Sequence, residues 1–178
     1  MIDLSGKRTH AMGKLCNRML IALFAATAFV SCSPQYETKA APAVTFMTIK
    51  GEKIAINDLR GKVVLVNFWA TDCPICLKEL PQLIETHQRF QARGFETVAV
   101  AMWYDPPNRV VDYSAKRALP FKVSFDPIGE IAKAFGDVTL TPTTFIVDKR
   151  GNIVNRLIGE PDFGKLNALI ESKLSEKI

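Results

Sequence analysis

One apolar segment, Val63–Trp69, constrains the fold of this chain more than any other feature. It reads VVLVNFW, and Asn67 is its only polar residue. A strand with one face in water alternates apolar and polar residues, so a nearly continuous apolar run indicates a strand covered on both faces. Such strands occur in sheets that carry helices on both sides. The segment therefore predicts an α/β domain.

Extended and helical segments alternate along the rest of the chain. A small hairpin is predicted at 44–56, before the buried strand. The predicted elements after that strand are a helix at 77–93 ending at Gly94, a strand at 95–102, a helix at 110–119, a strand at 121–125, a helix at 128–135, a hairpin at 143–158 and a last helix at 163–177 capped by Asp162. This order predicts a central mixed sheet flanked by helices.

The composition is that of a globular chain without a nucleic-acid surface. Of the 178 residues, 48% are apolar and 23% are charged, which excludes wholesale disorder and collagen-like repeats. The formal net charge is +5, but residues 1–31 contribute four basic residues against one acidic residue. The remainder is too weakly basic to indicate a nucleic-acid partner.

The first 31 residues have the pattern of an export signal. Residues 19–30 form an uncharged apolar run that follows Lys14 and Arg18. A helix that spans a bilayer needs about 20 apolar residues, so this shorter run fits the apolar region of a secretory signal. A buried helix is the alternative interpretation. Residues 1–31 are therefore predicted to be a signal peptide, whose true start could be Met12.

The segment at 29–32, FVSC, resembles the bacterial lipobox, although its first two residues are bulkier than usual. In that motif the cysteine is lipidated and becomes the mature N-terminus. The resemblance implies lipidation of Cys32 and attachment to a membrane; an uncleaved or differently cleaved signal is the alternative. Residues 32–43 have two prolines and no apolar period, which predicts a flexible tether before a domain at 44–178.

Cys73 and Cys76 lie between the buried strand and the first long helix. Two intervening residues at a helix start place both sulfurs on one side, close enough to form a disulfide. The free amides and the positive end of that turn stabilise a thiolate on Cys73. Cys73 is therefore predicted to be the nucleophile, and Cys76, deeper on the helix, to resolve the mixed disulfide.

A zinc site is the alternative interpretation of this cysteine pair. A structural zinc site takes four ligands. The remaining cysteines, Cys16 and Cys32, lie in the predicted signal and at the predicted lipidation point, and the only histidines are His10 and His87. His87 is interpreted as a residue of a helix face. We therefore expect no metal and no other cofactor.

Residues 66–81, VNFWATDCPICLKELP, resemble the active-site stretch of the thioredoxin superfamily. They are most similar to the TlpA/ResA branch of membrane-attached periplasmic thiol oxidoreductases, and the similarity covers nearly all of 44–178. The resemblance implies a thioredoxin-like fold with an N-terminal β-hairpin and a central insert at 94–126. Pro81 matches the helix-kinking proline of the family, and Trp69 matches a tryptophan that packs under the active-site loop.

Residues 141–145, TPTTF, match the superfamily loop whose proline is cis. The resemblance implies that Pro142 faces Cys73 and Cys76. It also implies that the backbone of Thr141 pairs with an incoming peptide, as in the addition of a strand to a sheet edge. Without the resemblance, Pro142 would be interpreted as part of an ordinary turn.

Two residues depart from the family pattern. Asn67 stands where thioredoxins carry a buried acid, and because an amide cannot titrate, the proton-transfer group is left unassigned. Glu79, the nearest other carboxylate of the helix, is interpreted as a solvated residue or a partner of the helix dipole.

The second departure is Asp72, which stands where the family has tryptophan. A negative charge beside a developing thiolate raises its pKa, so Asp72 is expected to tune Cys73 and to make the protein a better reductant. The alternative is that Asp72 only replaces a surface tryptophan.

The resemblance implies a monomeric thiol–disulfide oxidoreductase in the bacterial periplasm. Its expected clients are exported proteins with disulfides, such as apocytochromes c or copper-site proteins. Its expected electron source is a membrane thiol reductant of the DsbD/CcdA type. The cysteine pair is then the whole redox centre.

Two other functions remain open. A peroxiredoxin-type peroxidase shares the fold but needs Pro-x-x-x-Thr-x-x-Cys, and Thr71 is one residue too close to Cys73. A copper chaperone uses Cys-x-x-x-Cys with a distant histidine, or methionine clusters. The cysteine spacing here is one residue short, and Met47 and Met102 are isolated.

Overall fold

Eight strands form one sheet in the computed structural model, which describes residues 39–177. Their order across the sheet is β1-β8-β7-β4-β5-β6-β2-β3. Strands β4, β5 and β6 are parallel, and the other neighbours are antiparallel. The strands are β1 Lys39–Ala40, β2 Thr45–Thr48, β3 Lys53–Ala55, β4 Val63–Trp69, β5 Phe95–Ala101, β6 Lys122–Phe125, β7 Thr143–Val147 and β8 Asn152–Ile158. The predicted mixed sheet is confirmed.

Four α-helices connect or follow these strands: α1 Pro74–Phe90, α2 Pro107–Lys116, α3 Glu130–Ala134 and α4 Phe163–Ser175. Helix α1 continues into a short 3₁₀ turn, and Gly94 then takes a positive φ of 90° that ends it, as predicted. The Asp162 side chain accepts a hydrogen bond from the backbone N–H of Lys165, which confirms the predicted cap of α4. Pro81 lies inside α1.

Strand β4 is buried along its whole length, as its apolar sequence predicts. Its side chains alternate between two cores, because successive residues of a strand point to opposite faces. Val63, Leu65 and Trp69 pack with residues of α1, α2 and α4. Val64, Val66 and Phe68 pack with α3 and with a 3₁₀ turn at Ile56–Leu59. The sheet therefore has a core on each face.

The sheet begins at Lys39, ahead of the predicted domain boundary at Val44. Lys39 pairs with Ile153 at the edge of β8, and the N–H of Ala41 donates to the carbonyl oxygen of Gly151 at 2.8 Å. Residues 39–41, predicted to belong to the tether, are thus paired with the sheet. A two-residue strand held by backbone bonds leaves no side-chain pattern in the sequence, which explains the difference.

The predicted signal peptide and the predicted lipidation site, Cys32, lie outside the described residues. Within 39–177, none of the helices is both long enough and apolar enough to cross a bilayer.

Candidate redox site

Helix α1 begins at the cysteine motif, three residues earlier than predicted. Cys73 is its N-cap, and the N–H of Cys76 points at the Cys73 Sγ at 3.2 Å. Pro74 occupies the first helical position, where no intrahelical N–H bond is needed. The two cysteines form a disulfide with their Cα atoms 5.3 Å apart. The Cys73 sulfur therefore lies at the positive end of the helix, where a thiolate is stabilised.

The two sulfurs differ in their access to solvent. Cys73 is partly exposed, whereas Cys76 is buried in the core formed by α1, α2 and α4. A client disulfide can approach the first sulfur only. The geometry thus gives the two cysteines the order of action that thiol–disulfide exchange requires, attack by one and resolution by the other.

The loop before β7 faces the cysteine pair. The Thr141–Pro142 peptide bond is cis, and the Cys73 Sγ lies 3.6 Å from the carbonyl oxygen of Thr141. Pro142 is buried, and its carbonyl oxygen accepts a hydrogen bond from Gly159 at 2.8 Å. The structure therefore brings together two segments, separated by 68 residues of chain, that the family resemblance assigned to one site.

Trp69 ends β4 just before the active-site turn and is buried. It belongs to the same core as Cys76, and its ring centroid lies 5.8 Å from that of Tyr113. Its carbonyl oxygen accepts a hydrogen bond from Met102 at 3.0 Å. The indole thus packs behind the cysteines, toward α2.

The position of Glu79 differs from the prediction made from the sequence. It was expected in solvent, but its side chain is fully buried. One carboxylate oxygen, Oε1, accepts a hydrogen bond from Asn67 at 3.0 Å, and the other, Oε2, has no partner. Burial raises the pKa of Glu79 from 4.5 to about 7, the Asn67 bond opposes this rise, and repulsion from Glu160 adds to it. The carboxyl therefore exchanges protons near neutral pH.

The signal for this burial was present in the helical spacing. Glu79 follows Cys76 by three residues and precedes Leu83 by four, so all three lie on one face of α1. Cys76 and Leu83 are buried apolar residues. The interpretation of Glu79 as a partner of the helix dipole left this apolar face of α1 out of account.

Asn67 holds the carboxyl in place from the central strand. Its side-chain amide donates to Glu79 Oε1 and to Thr144 Oγ1, each at 3.0 Å. Thr144 is its direct partner across the antiparallel β4–β7 pair. Asn67 cannot titrate, but it fixes a group that can. A carboxyl one helical turn from Cys76 can accept the proton of that thiol during resolution.

The other predicted residues lie apart from this proton path. Asp72 is exposed beside Cys73. His87 is buried near the other end of α1, between the rings of Phe95 and Phe121, and its Nδ1 lies 3.2 Å from Thr97 Oγ1. Burial lowers the pKa of His87. In the part of the chain that the structure describes, no cluster of three or more His, Cys, Asp or Glu side chains could hold a metal ion.

A reachable cysteine at a helix N-terminus, a buried partner and a facing cis-proline loop define a class of protein. The class is that of the thioredoxin-like thiol–disulfide oxidoreductases. Comparison with known proteins then gives the family. The chain belongs to the AhpC/TSA family, whose model matches residues 38–156.

Named relatives agree with this class. The thiol-disulfide oxidoreductase ResA of Bacillus thuringiensis subsp. konkukian is 34% identical over 122 residues, which are 68% of this chain and 69% of that protein. The ResA of Bacillus subtilis is 32% identical over 119 residues, 67% of this chain and 65% of that protein. The cysteine pair thus sits in a chain that is similar to established disulfide-exchange proteins.

Solved structures show the same fold. A candidate thioredoxin from Neisseria meningitidis has 37% sequence identity and a TM-score of 0.72, covering 77% of this chain and 91% of that one. A thiol:disulfide interchange protein from Chlorobium tepidum has 26% identity and a TM-score of 0.71, covering 78% and 97%. The thioredoxin-like fold predicted from residues 66–81 is therefore confirmed.

Proposed function

We propose that this oxidoreductase acts as a reductant of disulfides in exported proteins. The observation that carries the proposal is the electronegative surroundings of Cys73. The carboxylate of Asp72 is next in the chain, and the carbonyl oxygen of Thr141 lies 3.6 Å from the Cys73 sulfur. Both oppose the stabilisation of a thiolate by the N-terminus of α1, and neither disfavours the neutral disulfide. Such an imbalance favours the oxidised protein and so makes the reduced protein a donor of electrons.

The reaction follows from the geometry of the pair. The Cys73 thiolate attacks one sulfur of a client disulfide, and the other client sulfur leaves as a thiolate that takes a proton from water. Cys76 gives its proton to the Glu79 carboxylate, and its sulfur attacks the Cys73 sulfur. The bond to the client breaks, and the second client sulfur leaves. Two electrons pass to the client as the Cys73–Cys76 disulfide forms.

The client is proposed to bind along the cis-proline loop. Thr141 precedes Pro142 and its carbonyl oxygen lies 3.6 Å from the Cys73 Sγ, which supports a role for its backbone in pairing with an extended client segment. Trp69 supports the site by packing, and Asp72 tunes it. These roles rest on the positions of the residues and on the resemblance to the ResA branch.

The cellular setting is proposed from the same resemblance and from the N-terminal pattern. A signal peptide at 1–31 would export the chain, and a lipid on Cys32 would hold it at a membrane in the periplasm. The clients would be apocytochromes c or copper-site proteins. A membrane thiol reductant of the DsbD/CcdA type would recharge the pair, and the protein would act as a monomer.

The reduction potential tests the direction of electron flow. The protein is equilibrated in glutathione buffers of known ratio, and the fraction of Cys73–Cys76 disulfide is measured. We expect a value near or below about −220 mV. A value near about −120 mV, which is typical of a strong oxidant, would overturn the reductant role.

A trapping variant identifies the clients. Cys76→Ala removes the resolving sulfur, so a mixed disulfide formed by Cys73 persists. We expect exported proteins with paired cysteines to be captured, and Cys73→Ala to capture none. Turnover of hydrogen peroxide by the unmodified protein at a rate above its disulfide exchange would favour the peroxidase instead.

A further inference from the structure

A cleft of about 670 Å³ lies at the end of the sheet opposite to the cysteine pair. It is bounded by the end of β2, the C-terminal half of α2 and the starts of β5 and β6. Cys73 follows the other end of β4, and the parallel strand beside it, β5, has seven residues and spans about 20 Å. Cavities of this volume hold small organic ligands. We call this cavity the distal cleft; it is separate from the redox site.

Aromatic rings form one wall of the distal cleft. Phe95 and Phe121 line it, and the imidazole of His87 lies near both, with ring centroids 6.3 Å and 5.7 Å away. Burial lowers the pKa of His87, so this ring is neutral at pH 7. Val111 and Leu119 continue the apolar surface from the side of α2. Such walls favour a ligand whose body is a flat aromatic ring system.

Ser114, on α2, adds a buried polar group to the distal cleft. It is 5% exposed, and its hydroxyl oxygen has no hydrogen-bond partner within the described part of the chain. Burying a hydroxyl without a partner costs free energy, and a ligand atom that pairs with it offsets that cost. A serine hydroxyl can donate or accept. Ser114 therefore indicates a ligand with a polar atom on its aromatic body.

The distal cleft carries more positive than negative charge. Lys50, Lys62 and Lys122 line it together with two acids, Glu52 and Glu96. Two of the lysines share one carboxylate, because Glu96 Oε2 lies 3.9 Å from Lys62 Nζ and 3.8 Å from Lys122 Nζ. An ammonium group has three donors, so each of these lysines can bind a further anion. The charge of the cleft is thus complementary to an acid.

We propose that the distal cleft binds a small aromatic acid, a ligand with a flat apolar body, one anionic group and one further hydrogen-bonding atom. The body packs against Phe121 and Val111. The anionic group lies between Lys62 and Lys122, and the Ser114 hydroxyl pairs with the remaining polar atom. This site does not depend on the direction of disulfide exchange, because the cysteine pair lies at the opposite end of the sheet.

A fluorescent acid tests the proposal. The probe 8-anilinonaphthalene-1-sulfonate has an aromatic body, a sulfonate and an N–H group. It is titrated into the folded, oxidised protein, and binding is followed by fluorescence and by amide signals in NMR spectra. We expect saturable binding of one probe per chain, with shifts at Val111, Ser114 and Lys122. Absence of saturable binding, or shifts confined to Cys73 and Thr141 at the redox site, would overturn the inference.

Charge variants test the anionic contact. Lys62→Gln and Lys122→Gln should each weaken binding of the sulfonate about fivefold, which is the size of one exposed ion pair. N-phenyl-1-naphthylamine, the same molecule without the sulfonate, should bind these variants and the unmodified protein equally. Lys133→Gln is the matched control, because Lys133 is an exposed lysine of α3, which packs on the other face of the sheet. Equal weakening of both probes would overturn the contact between the lysines and the acid.

A third variant separates binding from stability. Ser114→Ala should weaken binding of the sulfonate about fivefold, the effect of one lost hydrogen bond. It should not lower the midpoint of urea unfolding, because the hydroxyl has no partner within the described chain whose bond would be lost. Unchanged binding in Ser114→Ala and in both lysine variants would show that the probe does not occupy the distal cleft and would overturn the inference.

Discussion

At the scale of single residues, the burial of Glu79 has a measurable cost in stability. Its pKa is about 7 in the folded chain and 4.5 ordinarily, so the folded protein binds the proton more tightly. The stability from this group is fully present below about pH 4.5 and is lost as pH rises through 7. The loss amounts to about 3 kcal/mol. Glu79→Gln should remove that pH dependence.

Urea unfolding of the oxidised protein at pH 5 and pH 8 checks this expectation. Unmodified protein should lose more of its free energy of unfolding between the two pH values than the Glu79→Gln variant. Glu85→Gln, on the same helix, is the control and should behave like the unmodified protein. Parallel pH dependences for all three proteins would show that Glu79 does not titrate in this range.

The same carboxyl should leave a signature in the kinetics. If Glu79 accepts the Cys76 proton, resolution of the mixed disulfide slows as the carboxylate is protonated, so the rate should fall below about pH 7. Glu79→Gln should slow resolution at neutral pH and lose this inflection. Stopped-flow measurement of client release from a Cys73 mixed disulfide provides the profile. An inflection retained in the variant would assign it to another group.

Asp72 offers a second test at the residue scale. Asp72→Asn removes the charge beside Cys73, which should favour the thiolate and raise the reduction potential by about 30 mV if the thiol pKa falls by about one unit. Glu52→Gln, an exposed acid in the hairpin of β2 and β3, should not change the potential. A potential unchanged in Asp72→Asn would leave Asp72 as a simple surface replacement for tryptophan.

At the scale of elements, the strands and helices that have a regular apolar pattern were predicted from the sequence. Strand β4 was predicted from Val63–Trp69 because burial on both faces leaves an unbroken apolar run. The edge strand Lys39–Ala40 left no such pattern, because its pairing uses backbone groups alone. The contact between Cys73 and Thr141 joins distant segments, and only the resemblance to a family predicted it. The buried carboxylate of Asp105 accepts two hydrogen bonds from Thr71, one from its backbone N–H and one from its hydroxyl, both at 2.6 Å. This contact followed neither rule and was missed.

That missed contact supports a prediction about the loop after β5. Asp105→Ala removes both acceptors of Thr71 and leaves a backbone N–H without its partner. We expect the free energy of unfolding to fall by about 2 kcal/mol. Urea unfolding measures the effect, with Asp112→Ala as an exposed control on α2. A stability equal to that of the unmodified protein would show that this contact does not hold the loop to the active-site turn.

At the scale of the whole molecule, the chemistry gathers at one end of the parallel strands. Cys73 follows β4, the loop with Trp103 follows β5, and Asp126 follows β6, where its carboxylate accepts hydrogen bonds from the first residues of α3. In α/β sheets, ligands bind at the carboxyl ends of the strands, where loops from several strands meet. The sheet therefore places the nucleophile and the loop after β5 at the same edge.

A lipid on Cys32 would link this domain to a membrane. If Cys32 is lipidated, its acyl chains supply the membrane affinity, so Cys32→Ser should move the protein from the membrane fraction to the soluble periplasmic fraction. Cys16→Ser, within the predicted signal, should leave the protein at the membrane. Fractionation and the mass of the mature N-terminus measure both outcomes. Unmodified protein that carries no lipid on Cys32 and retains residues 19–30 would establish an uncleaved signal as the anchor.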